Sequence, residues 1–449
     1  MNETRILHRK IGPRLPIALS GEGMIIRDTN GKEYIDASGG AAVSCLGHRH
    51  PDVLAAMRAQ LEQLEYAHTA FFTSEAAEAL ADDLVEHAPD GIGHVYLVSG
   101  GSEAMETALK LGRQYFFERG EPKRSQFIAR LQSYHGNTLG ALSIGGNLQR
   151  REPFEPILFK THHIAPCYAY RHQQIGETEE AYSRRSADEL ERKLLEVGPE
   201  NVIGFVAETV VGATTGAVAA THGYFTRIRE ICDRYDILLI LDEVMSGMGR
   251  TGSLHACEQE GVSPDLMTIA KGLGAGYQPI GAVFIGDRIY DSIVSGSANF
   301  MHGLTYIGHP MSCAAALAVQ KVIRRDSLLD NVCRQGNRLQ LGLEARFGNN
   351  PNIGDIRGRG LFRGLELVAD RTNKIPFEPS LGMAGRIHRT SMERGLCVYP
   401  GGGTADGRAG DHVLIAPPFI VDSVTIDSIV GRLGEAVDAA IAEINVSAN

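Results

Sequence analysis

Two charged residues each end a short apolar run in the middle of the chain. Asp242 follows the run 237–241, and Lys271 follows the run 266–270. Runs of this length are typical of buried strands in a parallel sheet, and open α/β sheets bind ligands beyond the carboxyl ends of such strands. A carboxylate and an amine could therefore face one crevice. Because a buried charge without a partner is costly, the two residues either form a structural ion pair or take part in chemistry.

A glycine-rich stretch lies between a predicted strand and a predicted helix, where residues 98–103 read Val-Ser-Gly-Gly-Ser-Glu. The backbone N–H groups around Gly101 and the Ser102 hydroxyl could hold a phosphate at the start of the helix. The stretch has neither the G-x-G-x-x-G pattern of dinucleotide folds nor the G-K-[ST] pattern of a P-loop. A plain tight turn is therefore an equal alternative.

Other candidate residues also follow predicted strands. Tyr134 and His135 precede Gly136, so an aromatic face lies beside a residue that permits close approach. Taken alone, Tyr134 would more often be a core residue. Glu208 closes another predicted strand, and a lone acid in that position is usually just solvated.

The functional interpretation of Asp242 and Lys271 is a site for pyridoxal phosphate (PLP). The lysine amine would form a Schiff base with the cofactor. The carboxylate would keep the ring nitrogen protonated, so that the ring can act as an electron sink. On the pattern alone, the structural ion pair stays open as the alternative.

Strand and helix patterns alternate around these residues, which favours an α/β fold with a mostly parallel sheet covered by helices on both faces. The predicted strands are 94–98, 126–130, 202–207, 237–241 and 282–285, and the predicted helices are 75–86, 103–119, 187–197 and 224–235. Residues 167–185 interrupt the alternation, and we expect a polar surface insertion there.

The two ends of the chain are predicted to form a second, smaller α+β unit. Asn30-Gly31 predicts a hairpin turn near the N-terminus. The predicted domain parts are 1–65 (N-terminal part of the small domain), 66–330 (large cofactor-binding domain) and 331–449 (C-terminal part of the small domain). Phe71 and Phe72 are interpreted as core residues more than as a substrate wall.

The composition excludes several classes of protein. With 449 residues, 43% hydrophobic and 22% charged residues, and a net charge of −10 without a basic block, nucleic acid is excluded as a partner. Seven scattered cysteines without C-x-x-C indicate a reducing compartment. Residues 1–10 have no apolar signal core and no run approaches a membrane span, so we expect a cytoplasmic protein. His48 and His50 have no third ligand nearby, and no metal site is predicted.

Seven short sequence words occur together in this chain: Gly-His-Arg-His-Pro (47–51), Ser-Gly-Gly-Ser-Glu-Ala (99–104), Tyr-His-Gly (134–136), Leu-Asp-Glu-Val (241–244), Gly-Met-Gly-Arg-Thr-Gly (247–252), Ala-Lys-Gly-Leu-Gly-Ala-Gly-Tyr (270–277) and Leu-Thr-Tyr-Ile-Gly-His-Pro (304–310). With these words in this order, the chain resembles the class III (omega-type) PLP-dependent aminotransferases over nearly its whole length. The resemblance implies a fold-type-I transferase with a seven-stranded, mostly parallel sheet in the large domain.

The resemblance also assigns roles to individual residues. It implies that Lys271 forms the Schiff base and then shuttles a proton between the substrate carbon and the cofactor C4′. Asp242 would pair with the pyridinium, while Val244 and Tyr134 would pack on the two ring faces. The remaining implied cofactor-binding residues are Gly101 and Ser102 at the phosphate, Thr305 reaching the same phosphate from a second subunit, Glu208 bordering the ring, and His135. Relatives of this kind are at least homodimers with shared sites.

The chain departs from this family's common pattern at two places. Met245 stands where many relatives carry glutamine, and residues 399–404 contain no arginine to bind a substrate carboxylate. The nearest arginine is Arg408. We therefore expect that no fixed arginine holds the amino donor, and that apolar amines or long omega-amino compounds are preferred over α-amino acids. Phe71, Phe72, Cys45 and Leu46 are predicted as possible pocket walls.

The expected function is PLP-dependent amino transfer between a primary amine or omega-amino acid and a 2-oxo acid, pyruvate or 2-oxoglutarate. A PLP-dependent decarboxylase-aminotransferase or an aminomutase of the same fold would carry the same cofactor residues and is the alternative. A PLP-binding transcription regulator would need a DNA-binding segment, and a nicotinamide dehydrogenase would need the G-x-G-x-x-G pattern. Neither feature occurs in the sequence.

Overall fold

The structure, a computed structural model, describes residues 4–9, 11 and 14–447. The predicted small-domain parts 1–65 and 331–449 therefore include positions outside the described residues, which are 1–3, 10, 12, 13, 448 and 449.

The elements are numbered in chain order within the described residues. The strands are β1 (Ala18–Glu22), β2 (Ile25–Asp28), β3 (Glu33–Asp36), β4 (Ile92–Val98), β5 (Gln126–Arg130), β6 (His162–Ile164), β7 (Val202–Glu208), β8 (Val210–Val211), β9 (Val218–Ala219), β10 (Leu238–Asp242), β11 (Leu266–Ile269), β12 (Gly281–Gly286), β13 (Ile353–Arg359), β14 (Phe362–Leu367), β15 (Leu396–Cys397), β16 (Tyr399–Gly402) and β17 (Asp411–Ile415). The α-helices are α1 (Gly39–Ala42), α2 (Pro51–Gln63), α3 (Glu75–Glu86), α4 (Gly101–Glu118), α5 (Leu139–Ile144), α6 (Leu148–Arg151), α7 (Ala169–His172), α8 (Glu179–Val197), α9 (Tyr224–Arg234), α10 (Asp287–Ser295), α11 (Pro310–Arg325), α12 (Leu328–Phe347), α13 (Met383–Glu393) and α14 (Ser423–Ser447). Short 3₁₀ helices span Glu152–Ile157, Pro199–Asn201, Ala256–Glu260, Lys271–Leu273 and Pro379–Leu381.

The largest sheet has seven strands in the order β4-β12-β11-β10-β7-β5-β6. Only β12 runs antiparallel to its neighbours, β11 and β4, and the other pairs are parallel. Leu238 and Ile240 on β10 pack against the layer of α4, α5 and α10. Leu239 and Leu241 pack against α3, α8, α9 and α11 on the other face. The predicted α/β fold with a seven-stranded, mostly parallel sheet between helices is confirmed.

Two smaller sheets lie outside this core. In the first, of order β1-β2-β3-β15, β15 pairs with β3 in parallel, so that both end regions of the chain share one sheet. The second has the antiparallel order β13-β14-β17-β16. A separate hydrophobic cluster joins both sheets to α12, α13 and α14. The boundaries after residues 65 and 330 stay predictions.

The predicted surface insertion at 167–185 is correct only in part. Residues 172–181 are mostly exposed, but Tyr168 and Tyr182 are each 1% exposed and α8 begins at Glu179. The Tyr168 N–H donates to the Tyr182 hydroxyl at 2.7 Å, so a polar tyrosine tip is satisfied inside the core. The interpretation of Phe71 and Phe72 as core residues is wrong. They are 79% and 68% exposed in a turn ahead of α3.

The predicted hairpin is present, but its turn differs from the expectation. Gly31 has a positive φ of 82°, whereas Asn30 does not. The Asp28 side chain stabilises the turn, because its Oδ1 accepts hydrogen bonds from the Asn30 N–H at 2.9 Å and the Lys32 N–H at 3.0 Å.

No helix in the described part of the chain is long and apolar enough to cross a membrane.

Candidate active site

The carboxyl ends of three neighbouring strands meet at one cavity of about 470 Å³. Asp242 at the end of β10 is in register with Glu208 at the end of β7 and with Thr268 on β11. Lys271 lies two residues beyond the end of β11. The predicted site residues that line the cavity are Gly101, Ser102, Tyr134, His135, Glu208, Asp242, Val244 and Lys271.

Asp242 is held in one orientation by its neighbours. Its carboxylate is 4% exposed, and Oδ1 accepts a hydrogen bond from the Val244 N–H at 2.9 Å. Oδ2 lies 2.8 Å from His135 Nδ1, which donates when the ring carries its proton there. His135 Nε2 is buried and has no partner among the described residues. His135 therefore helps to fix the orientation of the Asp242 carboxylate.

Glu208 holds the loop that carries Tyr134. Its Oε1 accepts from the Tyr134 N–H at 3.0 Å, and its Oε2 accepts from the Gly212 N–H at 2.9 Å. Burial raises the pKa of Glu208, and the adjacent charge of Asp242 acts in the same direction. At 4% exposure, Glu208 is not the solvated strand-end acid that its sequence position alone suggested.

Lys271 combines a lowered pKa with a strained backbone. Burial lowers the pKa of its amine from 10.5 to about 8, although the carboxylates of Asp242 and Glu208 oppose this shift. The φ of Lys271 is 44°, in the left-handed region that costs a residue other than glycine about 1–2 kcal/mol. Such strain gathers at functional sites. An amine with this pKa is a usable nucleophile near neutral pH.

This pKa predicts how the cofactor-free protein takes up PLP at different pH values. The neutral amine reacts with the aldehyde, and roughly a tenth of an amine of pKa 8 is neutral at pH 7. We expect the uptake rate, followed by absorbance after rapid mixing, to rise with pH and to level off above about pH 8. A rate that keeps rising towards pH 10.5, the value of an ordinary lysine, would contradict a perturbed Lys271.

The start of α4 forms a close-packed corner beside the cavity. A Cβ at Gly101 would lie 2.8 Å from Val244 Cγ1, so only glycine fits there. Ser102 Oγ donates to Asn137 Oδ1 at 3.0 Å and accepts from the Asn137 N–H at 3.1 Å. Gly136 has a φ of 136°, and a Cβ there would lie 2.6 Å from Ser102 Oγ. The free N–H groups and the dipole of this 18-residue helix favour a phosphate.

Several predicted positions lie away from the cavity. Cys45 and Leu46 are 0% and 1% exposed, lie behind the cavity wall and are wrong as pocket residues. Phe71 and Phe72 do not line the cavity of this chain either. Thr305 is exposed, and its backbone oxygen accepts from the Tyr66 hydroxyl at 3.1 Å. Its predicted contact with a phosphate would involve a second subunit and stays a prediction.

The structure adds cavity residues that the sequence analysis missed. Among them are Arg9, Ala41, Val43, Arg150, Gln278 and Tyr399. Arg150 lies over the Tyr134 ring, with 4.5 Å between the guanidinium carbon and the ring centroid. Arg408 does not line the cavity, and its guanidinium lies 3.8 Å from Glu152. No motif marks Arg150, and the only available signal was the short distance in sequence from Tyr134.

The cavity fits PLP in its chemistry. It presents an amine with a lowered pKa, a buried oriented carboxylate and a helix N-terminus suited to a phosphate, and these are the groups that PLP sites require. The close approach of Gly101 to Val244 leaves no room for a side chain at position 101.

Comparison with known proteins agrees with this geometry. The family model for aminotransferase class III matches residues 10–437. An uncharacterized aminotransferase of Schizosaccharomyces pombe is 46% identical over 432 residues, covering 96% of this chain and 94% of that protein. Gamma aminobutyrate transaminase 3 of Solanum lycopersicum is 37% identical, covering 92% and 79%. The omega transaminase of Pseudomonas jessenii, solved in complex with PMP, superposes with a TM-score of 0.91 at 32% identity, covering 99% and 97%.

These matches extend over nearly the whole chain and include the strands, the glycine corner and the lysine that build the cavity. The chain belongs to the class III aminotransferases, which are PLP-dependent enzymes.

Proposed function

We propose that this enzyme moves an amino group between a primary amine or omega-amino acid and a 2-oxo acid such as pyruvate or 2-oxoglutarate. The observation that carries the proposal is the placement of Asp242 and Lys271 at neighbouring strand ends around one cavity. Gamma aminobutyrate transaminases and omega transaminases among the similar proteins support this choice of substrates.

Lys271 and Asp242 have the main chemical roles in this proposal. Bound PLP supplies an electron sink that makes the substrate carbon acidic. The Lys271 amine would hold the cofactor covalently and, once released, would carry a proton to and from the substrate carbon. A pKa of about 8 suits a base that must accept and return a proton near neutral pH. Asp242, braced by His135 and the Val244 N–H, supplies the negative charge at the ring nitrogen.

The other proposed cofactor residues bind and orient. Gly101 and Ser102 would hold the phosphate at the start of α4, and Val244 and Tyr134 would pack against the ring. Glu208 acts through the loop, because it fixes the Tyr134 backbone by a hydrogen bond of 3.0 Å. Together these residues keep the substrate carbon within reach of Lys271.

Product analysis tests the proposed reaction. The holoenzyme is incubated with γ-aminobutyrate, β-alanine or butan-1-amine as donor and pyruvate as acceptor. We expect one alanine for each donor consumed, with the corresponding aldehyde and without carbon dioxide. Carbon dioxide in equal amount would indicate a decarboxylase-aminotransferase, and nitrogen retained on the donor skeleton would indicate an aminomutase. Absence of alanine with every donor would contradict the proposal.

The proposed assembly is a homodimer in which Thr305 completes the phosphate site of the other subunit. The surface around Thr305 supports this proposal, because the neighbouring residues Met301 and Tyr306 are 75% and 58% exposed. Tyr66 contacts two residues of this surface. Its hydroxyl donates to the Thr305 backbone oxygen, and its ring centroid lies 5.8 Å from that of Tyr306. Exposed apolar patches of this kind are typical of subunit interfaces.

Subunit mixing tests the shared site. Lys271→Ala chains and Thr305→Glu chains are each expected to be inactive, and their hybrid contains one intact site. At equal amounts and full exchange half the dimers are hybrids, so recovery of about a quarter of wild-type activity is expected. The control mixes Lys271→Ala with Asp242→Asn chains and should recover nothing, because both residues belong to one subunit's site. No recovery in the first mixture, after subunit exchange is verified, would argue against sharing.

We propose a reducing compartment, the cytoplasm, as the location of the enzyme. All seven cysteines are free thiols, and five of them are buried. Secreted proteins of this cysteine content more often form disulfides.

A further inference from the structure

Residues 297–305, here termed the Thr305 loop, lie between α10 and α11 and contact α4. Gln114 on α4 holds two backbone groups of this loop. Its Nε2 donates to the Asn299 oxygen at 2.7 Å, and its Oε1 accepts from the Met301 N–H at 3.1 Å. The helix whose first turn would bind the phosphate of one site therefore also fixes the loop that would reach the other site.

His302 adds a second attachment to α4, and its hydrogen bonds define which ring nitrogen carries the proton. Lys110 Nζ lies 3.3 Å from His302 Nδ1, and an ammonium can only donate, so Nδ1 accepts. Nε2 then carries the proton and donates to Thr107 Oγ1 at 3.0 Å. Thr107 Oγ1 is free to accept, because its own proton goes to the Glu103 backbone oxygen at 2.8 Å. This chain of three hydrogen bonds requires a neutral His302.

The other titratable groups around His302 do not favour its protonation. Glu103 and Glu106 on α4 already accept hydrogen bonds from backbone N–H groups, at 2.8 Å and 2.7 Å. Tyr96 on β4 faces the ring from the sheet, and its hydroxyl donates to the His302 backbone oxygen at 3.1 Å. Burial lowers the pKa of His302 and the charge of Lys110 adds to this shift, whereas the two acids oppose it.

His302 lies close to Thr305 in the chain. Only Gly303 and Leu304 separate the two residues, and Leu304 packs against the core between α4 and the sheet. At the far end of the loop, the Thr305 backbone oxygen accepts from the Tyr66 hydroxyl at 3.1 Å. The short segment that places Thr305 is therefore held on both sides, and release of His302 would free one of them.

We propose that neutral His302 is a positioning residue for the PLP phosphate site of the neighbouring subunit. It does not line the cavity of its own chain and acts through the Thr305 loop. This inference rests on the proposed homodimer, in which Thr305 completes the other subunit's site. The contacts with Lys110 and Thr107 fix the loop, and the loop presents Thr305.

The hydrogen bonds of His302 also give this role a pH dependence. A second proton, on Nδ1, would remove the acceptor for Lys110 and place two positive charges side by side. The pKa of the ring is lowered from its ordinary value of 6.5 while the loop contacts α4. The contribution of His302 to PLP binding is therefore complete above about pH 6.5 and is lost as the pH falls below that value.

The first test compares the PLP dissociation constants of wild type and His302→Gln, measured by equilibrium dialysis between about pH 5 and pH 8. Glutamine can still donate to Thr107 but cannot be protonated in this range. We expect binding to weaken about three- to tenfold at about pH 8. The ratio of the two constants should fall towards one below about pH 6.5, because the wild type then also loses the Lys110 contact.

Other titrating groups of the cofactor and the cavity cancel in this ratio. His388→Gln makes the same chemical change at an exposed histidine on α13 and should leave the dissociation constant at the wild-type value. A His302→Gln ratio that is independent of pH would indicate a merely structural role, and an unchanged constant at about pH 8 would show no role. Either result overturns the inference.

The second test uses isolated hybrid dimers in which only one chain keeps Lys271. PLP binding to that chain is read from its Schiff-base absorbance. With His302→Gln on the Lys271→Ala chain, we expect binding to weaken about three- to tenfold. With His302→Gln on the chain that keeps Lys271, binding should equal that of the hybrid without the substitution. Equal weakening in both arrangements, or weakening only in the second, overturns the inference.

Thr305→Ala in the same two arrangements separates this inference from the proposed shared site. If Thr305→Ala weakens only the neighbouring site while His302→Gln does not, the shared site stands and the inference is overturned. If Thr305→Ala does not act on the neighbouring site, the proposed sharing fails and the inference fails with it. Thr107→Val removes the hydroxyl that His302 Nε2 contacts, should reproduce the one-sided loss, and replaces His302→Gln where that variant does not fold.

Discussion

Replacing Lys271 by alanine is expected to lower kcat/KM for amino transfer by at least about a thousandfold. The variant loses both the covalent attachment of PLP and the base that moves the substrate proton, and positioned bases alone contribute about a hundredfold to ten-thousandfold. The fold should survive, because Lys271 is only partly buried and because the carboxylates of Asp242 and Glu208 keep their own hydrogen bonds without it. Activity with γ-aminobutyrate and pyruvate, together with circular dichroism and the melting temperature, measures the result.

The matched control for this change is Lys123→Ala, since Lys123 is exposed and does not line the cavity. It should keep wild-type activity. Small primary amines added to Lys271→Ala should restore part of the rate, because they can accept a proton in the space the side chain leaves. A Lys271→Ala variant within about tenfold of wild type would show that another residue is the base.

Asp242→Asn should keep PLP but lose at least about a hundredfold in kcat/KM, which corresponds to about 3 kcal/mol of transition-state stabilisation. The amide oxygen can still accept from the Val244 N–H, so the local structure should persist. The negative charge opposite the ring nitrogen disappears, and the new amide NH₂ faces His135 Nδ1, which must then accept the hydrogen bond instead of donating it. Rates of the donor half-reaction, measured with the PLP-loaded variant, report this loss separately from acceptor binding.

Glu208→Gln is the comparison for Asp242→Asn, because it makes the same chemical change at the neighbouring strand end. Glu208 acts through backbone hydrogen bonds, and its substitution should cost less than about tenfold. If the two substitutions cost the same, or if Asp242→Asn stays within a few-fold of wild type, the carboxylate of Asp242 is not at the ring nitrogen.

The central sheet was predictable because its strands are buried on both faces. β7 and β10 are apolar along nearly their whole length and buried at every residue, so local composition alone identified them. β13 was missed because Gly354, Asp355, Arg357 and Gly358 interrupt any apolar alternation, and the pairing with β14 stabilises it instead.

The site was predictable where strand ends define it. Asp242 and Glu208 are the last residues of buried strands and Lys271 lies two residues beyond another, so topology alone brings them together. Arg150 could not be found this way, because it reaches the cavity through α5 and α6 rather than from a strand. Cys45 was misplaced because its irregular segment has no periodicity, and only the structure shows that Val43 lines the cavity instead.

Borohydride reduction of the purified holoenzyme, followed by peptide mass mapping, tests most directly whether Lys271 is the cofactor-bearing residue. The protein should be yellow before reduction, and reduction should fix the cofactor as a stable secondary amine. We expect the pyridoxyl mass on the peptide that contains Lys271 and on no other. A pyridoxyl group on a different lysine, or none on a protein that transaminates, would contradict the assignment of the cavity at the ends of β10 and β11 as the active site.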